Sequence, residues 1–444
     1  MATAIAAIKQ EGTNISLPLI NEADFGFKVD AKQNKIYFSL KAMNGIGTEV
    51  VQTILANRPY KTMEDFGKRM LEAKYELKYN PETGKEEAVK IAPALIQTAQ
   101  MIQLIKGGCF TELHSKDRKD TMDWFLKKYV YSPIDNLTMR QISKMTELDM
   151  IPENLKLSIR ILNFKKYVLD EAGFLYGYVD PKKKKIPKCG YHDGRYILDD
   201  NSQPFFIEHF SEDSVVDVKG DYYVISEKIF EKETETFIKP LKEWMSNPET
   251  LKLYNEKLYQ VLWDKYASGT LPHWSMQALC YYDEEHELEH VNEDDYGIVN
   301  FFDLPENPEP YEWYTRYSNG KPVYKPKYKI SRIAGTVLNT DNNRHTVTLL
   351  TKYGTVNVKM NKGHYAFYNK RIKEKTEDGE KNKIIENSWL QRGNLIIVAG
   401  IRREDQFIPK IYQDTIYNHT VNLIKEVHED GTLLLQSERT KVNE

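Results

Sequence analysis

Leu40–Met70, LKAMNGIGTEVVQTILANRPYKTMEDFGKRM, reads as a helix-hairpin-helix. Leu40 and Met43 take apolar helix positions, and Gly45-Ile46-Gly47 makes a tight turn. Val50, Val51, Ile54 and Leu55 carry the three-to-four spacing of a second amphipathic helix. The two glycines permit backbone geometry and close approach that a side chain would block. Ile46 between them can tuck into the gap between the helices. The turn presents N–H groups at the start of the second helix, where a phosphate can be held. Such contacts fix position on DNA without reading its sequence. On this reading Lys41, Gly45, Ile46, Gly47, Thr48 and Lys61 hold the duplex backbone, with the hydroxyl and amide of Thr48 both facing phosphate. The same spacing also suits a plain αα-hairpin with a glycine turn.

The 444 residues suffice for two to four domains with real cores. Hydrophobic residues at 41% and aromatics at 12% indicate a folded chain. The net charge of -3 excludes a protein that coats DNA through overall basicity, so any nucleic-acid contact must be local. Cys109, Cys189 and Cys280 lie far apart, which suggests reduced thiols and a cytoplasmic location. No apolar run reaches the roughly 18 residues of a spanning helix, so no membrane partner is expected. MATAIAAIKQEG is too short and wrongly flanked for a signal peptide.

Residues 1–12 look helical, with the helix beginning abruptly at Ile5–Lys9, and Ile36–Leu40 alternates like a short strand. Lys74–Lys90, with Asn80-Pro81 and Gly84, reads as an exposed β-turn insertion. Residues 93–106, 119–130 and much of 131–171 have helical periods. FLYGYVD, GRYILDD, PFFIEHF and DYYVIS, within 174–230, are short aromatic runs that read as strands. Residues 239–267 return to helix. Leu304–Lys329 holds five prolines and reads as an extended linker.

Four segments in the first 113 residues resemble the C-terminal half of the bacterial DNA polymerase III α-subunit family. IAAIKQEGTNISLPLINEADFGF (Ile5–Phe27) resembles its helix followed by P-x-x-N-x-S-x-x-x-F. IYFSLKAMNGIG (Ile36–Gly47) resembles I-R-F-G-L-x-x-I-K-G-V-G, and RPYKTMEDF (Arg58–Phe66) resembles G-P-F-x-S-L-x-D-F. MIQLIKGGCFTEL (Met101–Leu113) resembles L-x-x-L-I-x-A-G-A-F-D-x-L. Further on, QALCYYDEEHELE (Gln277–Glu289) resembles E-x-L-G-F-Y-L-S-G-H-P-L-D. Ile330–Met360 and Gly393–Tyr412 resemble the opening and closing strands of the family's OB-fold domain. Residues 116–271 match no family segment.

The resemblance implies an α+β multidomain chain. Its parts are the fingers end and helix-hairpin-helix domain (1–115), a mixed insertion (116–271), a connector (272–327), and an OB-fold domain with a C-terminal tail (328–444). A five-stranded antiparallel barrel is expected at about 328–415. The implied function is to position template-primer duplex and single-stranded template. The family's P-D-I-D-x-D-F palm motif, which holds two Mg2+ ions, has no copy here. No catalytic residue, cofactor or metal ligand is therefore assigned to this chain. A palm-bearing polymerase chain is the expected partner, with Mg2+ on that partner. The N-terminal phosphoesterase-like histidine cluster of the family is also missing, as if the chain began inside the fingers region. The alternative is a stand-alone single-stranded DNA-binding accessory protein. The divergence and the unmatched insertion fit a bacteriophage gene. The family's Q-x-x-L-F peptide makes a sliding clamp a further partner. The nearest copy, Gln260-Val261-Leu262-Trp263, is one residue short and falls on a helical segment.

Within the barrel, Arg332, Arg344, Lys352 and Lys359 lie on or beside strands. Tyr353, Tyr365, Phe367 and Tyr368 interleave with Lys362, His364, Lys370 and Arg371. Aromatic faces stack bases while nearby cations neutralise phosphate, as OB folds hold single strands. Some of these rings equally suit a barrel core. His286-Glu287-Leu288-Glu289-His290 matches the H-E-x-x-H zinc-hydrolase motif, with Glu306 or Glu309 as a third ligand. Its acidic surroundings argue against a zinc helix, and the resemblance places His286 on the histidine of G-H-P-L. Cys189-x-x-His192 with Asp193 is half a zinc site or chance spacing, and Lys182–Lys185 is a phosphate contact or a solvated turn.

Overall fold

The structure is a computed structural model that describes residues 4–5, 8, 11–80, 85–170, 195–198, 200–220, 222–318, 321–375, 382–410, 420–428 and 430–440. They form two compact units, residues 1–130 with 266–444, and residues 131–265. Of the helix expected over residues 1–12, Ala4, Ile5 and Ile8 are helical, Glu11 and Gly12 form a turn, and the rest lies outside the described residues. So do Phe174–Asp180, Lys182–Lys185, Cys189, His192 and Asp193.

The first unit opens with a small sheet of β1 (Asn14–Ser16), β2 (Lys28–Asp30) and β3 (Lys35–Tyr37), in the order β1-β3-β2. The strand expected over Ile36–Leu40 stops at Tyr37. Ser39 turns the chain, because its hydroxyl donates to Phe25 O at 2.6 Å and accepts from Ala42 N–H at 3.1 Å. The first arm of the hairpin is consequently a single 3-10 turn, Leu40–Ala42, and not a full helix. Its second arm is α1 (Thr48–Ala56), which buries Val50, Val51 and Ile54. A second hairpin joins α1 to α2 (Met63–Met70), which Thr62 caps by accepting from Asp65 N–H. Tyr60 locks the two together: its hydroxyl donates to Ile54 O at 3.0 Å and its ring packs edge-on to Phe66 at 4.8 Å.

β4 (Lys74–Asn80) and β5 (Lys85–Ala92) form an antiparallel ribbon where the insertion was expected. α3 (Thr98–Lys106) starts later than the expected 93, with Gln97 as its cap. α4 (Arg118–Phe125) continues as a π turn to Val130.

The second unit contains α5 (Ile142–Glu147), α6 (Lys156–Asp170), β6 (Arg195–Leu198), α7 (Gln203–His209), β7 (Val215–Lys219), β8 (Tyr222–Ser226), α8 (Glu227–Met245) and most of α9 (Pro248–Ala267). Its strands order as β6-β8-β7. PFFIEHF, read as a strand, is helical up to His209. Pro204 suits the first turn of a helix. Phe206 and Phe210 then fall one turn apart on the core side, with rings stacked at 5.2 Å.

The chain re-enters the first unit through α10 (Leu271–Leu279) and α11 (Glu293–Tyr296). The expected linker at 304–329 is instead a ribbon, β9 (Glu312–Ser318) paired antiparallel with β10 (Lys321–Lys327). Pro322 and Pro326 are tolerated because β10 has a partner on one side only.

The barrel follows as β11 (Ser331–Asp341), β12 (Thr346–Thr351), β13 (Gly354–Lys359), α12 (Lys362–Asn369), β14 (Ile372–Lys375), β15 (Asn382–Glu386), β16 (Leu395–Arg403) and β17 (Gln406–Pro409). Five strands close in the order β11-β12-β13-β17-β16, and β16 pairs back onto β11. β13 and β17 pair in parallel, the one departure from the antiparallel barrel expected. With a helix after the third strand, this is an OB-like barrel. Alternating burial along β12 and β13 points Val347, Leu349, Val356 and Val358 inward. β11 and β16 are buried on both faces, since Leu288, Val291 and Ile298 cover their outer side. The expected tail contributes β18 (Val421–Val427), paired with β16, and β19 (Leu433–Gln436). No helix among the described residues is long and apolar enough to cross a membrane.

Candidate nucleic-acid interface

The hairpin turn is built from residues obeying different constraints. Gly45 has φ +75°, in the left-handed region that glycine enters without a steric cost. Ile46 is buried, as expected of the residue that fills the hairpin gap. Gly47 differs from expectation: its φ of -78° suits any residue. It is the N-cap of α1, no side chain caps the helix there, and open space lies where a Cβ would project. The first amides of α1 therefore lack intrahelical acceptors and face outward. Lys41 donates to Ile46 O at 3.3 Å, which brings its ammonium to the turn. Thr48 is exposed beside Gly47. Glu49, in the first turn of α1, adds a carboxylate that opposes an anion. Lys61 does not join this turn, since it stands one residue before the N-cap of α2.

α10 pins the turn from the other stretch of the unit. Asn44 N–H donates to Ala278 O at 2.8 Å, and its side-chain amide donates to Gln277 O at 3.1 Å. Lys106 is buried beneath, donating to Gln277 Oε1 at 2.8 Å, and burial pushes its pKa down to about 8. Beside the turn lies a cleft of about 650 Å³ that runs to the barrel. Amides line it: Asn44, Gln103 and Gln277 on one wall, Asn339, Gln391 and Asn394 on the barrel wall. Arg392 also lines it, held by a bond from Nε to Leu338 O at 2.9 Å. Gln103 Oε1 is buried there without a hydrogen-bond partner among the described residues. The sequence reading missed this wall. Q-R-G-N at 391–394 was a signal, but one without periodicity.

The barrel residues divide between the two ends of β12. At one end, Lys359 Nζ donates to Arg344 O, and Tyr365 donates to Asn342 at 2.6 Å. Tyr365 cannot stack a base as expected, because its ring is buried in the barrel core with Tyr368. Phe367 is partly buried against the same core. At the other end, α11 gathers Arg332, Lys352 and Tyr353. Arg332 donates to Tyr296 O at 3.2 Å. Glu293 pairs with Lys352 at 3.3 Å and accepts from the Tyr353 hydroxyl at 2.7 Å. Neither Lys352 nor Tyr353 is thus the unopposed contact the sequence suggested.

His286–His290 is not a zinc helix. The segment lies in turns. His286 is buried; Nδ1 accepts from Leu288 N–H at 3.0 Å, so Nε2 carries the proton and donates to Leu350 O at 2.9 Å. Neither nitrogen keeps a lone pair for a metal. His290 pairs with Glu285 at 3.1 Å, and Glu306 pairs with Arg402. Among the described residues no cluster of three His, Cys, Asp or Glu could hold a metal ion. Gln260–Trp263 lies inside α9, where Gln260 donates to Asp264 at 2.7 Å.

A helix-hairpin-helix motif family matches residues 12–78, the segment that holds the Gly45–Gly47 turn. The whole chain is 39% identical over 445 residues to the probable DNA polymerase YorL of Bacillus subtilis (strain 168). It is equally similar to the DNA-directed DNA polymerase of Bacillus phage SPbeta. The alignment covers 100% of this chain, so it includes 116–271, the segment without a counterpart in the resemblance drawn from sequence. The chain spans about 31% of the length of these relatives.

Proposed function

We infer that this chain is the DNA-binding part of a DNA polymerase of the III α-subunit type. It positions template-primer duplex and single-stranded template for catalytic aspartates, and their Mg2+, carried outside these 444 residues. The observation that carries this reading is the open, uncapped start of α1 beside the amide-lined cleft. Helix N-termini of this kind bind phosphate through free amides and the helix dipole. The end-to-end similarity to two proteins named as DNA polymerases supports it.

In this account Gly45 and Ile46 shape the turn, the amides of Gly47 and Thr48 hold a duplex phosphate, and Lys41 adds charge. Lys61 takes a second phosphate at the α2 junction. Arg344 and Lys359 touch single-stranded template at one end of the barrel, and Arg332, Lys352 and Tyr353 do so at the other. Tyr365 orders the loop at Asn342 and does not touch DNA.

Binding of labelled primer–template by the purified chain tests the reading. The expected result is salt-sensitive binding of both the duplex and a single strand. No binding of either at low salt would overturn it. Adding a palm-bearing polypeptide should restore primer extension that neither component shows alone. Failure of that step with DNA binding intact would leave a single-strand-binding accessory protein.

A further inference from the structure

The β9–β10 ribbon has a composition that no packing role explains. Its register places Trp313, Thr315 and Tyr317 opposite Pro326, Tyr324 and Pro322, so these six share one face. That face is exposed: Trp313 by 60%, Tyr324 by 71% and Tyr317 by 73%. Three rings thus step along the ribbon about 7 Å apart, alternating between the strands. The other face carries Arg316, Lys321, Lys325 and Lys327 against one carboxylate, Glu312. Rings left in water beside surplus positive charge, in a chain of net charge -3, call for a ligand with apolar faces and negative charge.

The root of the ribbon makes an independent case. Tyr328 is buried there, with Arg403 Cζ 4.9 Å and Lys410 Nζ 4.6 Å from its ring centre. Arg403 also donates to the Tyr328 hydroxyl at 2.7 Å. Burial, then Arg403 and Lys325, push the Lys410 pKa down. Cations that repel one another in this way are relieved by a bound anion.

We propose that the β9–β10 ribbon and its root form a binding site for an unpaired nucleic-acid strand. Successive bases stack on Trp313, Tyr324 and Tyr317, and the phosphates pass the ribbon edge toward Lys325, Arg403 and Lys410. Neighbouring strands lie about 5 Å apart, so long cationic side chains on one face reach round the edge to a backbone whose bases lie on the other. Every base has a stackable face, so the site is indifferent to sequence. The β4–β5 ribbon provides an internal contrast. It also exposes Tyr75 and Tyr79, but its lysines alternate with Glu76 and Glu86, and no unopposed charge accumulates.

This proposal rests on the chain being a DNA-binding part of a polymerase, and the test separates the two. Anisotropy of labelled oligo(dT) and of a blunt duplex is measured with the full chain. Trp313→Ala combined with Tyr324→Ala should weaken oligo(dT) binding by about tenfold or more. Lys325→Glu with Lys410→Glu should flatten its salt dependence by about one unit of slope. Duplex affinity and the Tyr75→Ala/Tyr79→Ala control should remain at the wild-type level. A bromodeoxyuridine oligonucleotide should crosslink to the peptide containing Trp313 or Tyr324. Unchanged oligo(dT) affinity in both ribbon variants, with no crosslink there, would overturn the site while leaving the duplex reading intact. Loss of all DNA binding by the wild-type chain would overturn both.

Discussion

Gly45 and Gly47 are two residues apart but answer to different requirements. A valine at 45 is forced into left-handed backbone, at a cost of about 1–2 kcal/mol. A valine at 47 fits the backbone, and its Cβ meets nothing within 4 Å. Gly45→Val should therefore lower the melting temperature through backbone strain, whereas Gly47→Val should lower it only by the poorer capping of α1 by valine and should act mainly on a ligand approaching the amides. Thermal unfolding of both variants checks this. His286 supplies a second residue-scale prediction. Burial pushes its pKa down to about 4, Lys352 adds to that, and the Leu350 carbonyl and Glu287 work the other way. Below its ordinary value of about 6.5 the unfolded chain binds a proton that the folded chain refuses. The contribution of His286 to stability is thus complete above pH about 6.5 and falls as pH drops toward 4. The total is of order 3 kcal/mol. Denaturant titrations at several pH values should show that slope in wild type and a shallower one in His286→Gln.

At the scale of elements, the barrel was legible through the resemblance of Ile330–Met360 and Gly393–Tyr412 to the strands of an OB-fold domain, and in the structure burial alternates along β12 and β13. The hairpin turn was legible because two glycines flank an apolar residue. Ser39 was not, since its two hydrogen bonds depend on Phe25, fourteen residues earlier. The prolines of β10 read as a linker because sequence does not reveal that a strand has a single neighbour. The barrel cations were visible, but their compensation was not: Glu293 lies about sixty residues before Lys352 and Tyr353. Neutralising it should strengthen the contact it opposes. In Glu293→Gln no carboxylate competes with phosphate for Lys352, so oligo(dT) affinity should rise and its salt dependence should steepen by about one unit. A fall in affinity would show that α11 is needed to hold that end of the barrel in a binding geometry.

At the scale of the molecule, the first unit is assembled from two stretches of chain separated by residues 131–265. Arg118 joins them. It is buried, donates to Ser275 Oγ at 2.6 Å and to Lys106 O at 3.0 Å, and pairs with Asp283. Removing one partner of a buried pair strands the other charge, so Asp283→Ala should cost about 3–5 kcal/mol in unfolding measurements. Loosening this joint should weaken DNA binding as well, because α10 supports both the turn and the cleft. The account as a whole depends on the turn itself contacting phosphate. The most direct test is the salt dependence of primer–template binding, log K against log [salt], for wild type and Gly47→Val. The prediction is weaker binding by Gly47→Val, with a slope shallower by about one unit because the displaced phosphate also leaves Lys41, and a melting temperature lowered only by the poorer N-cap. Identical affinity and slope in the two proteins would contradict the account and leave the hairpin a purely structural element.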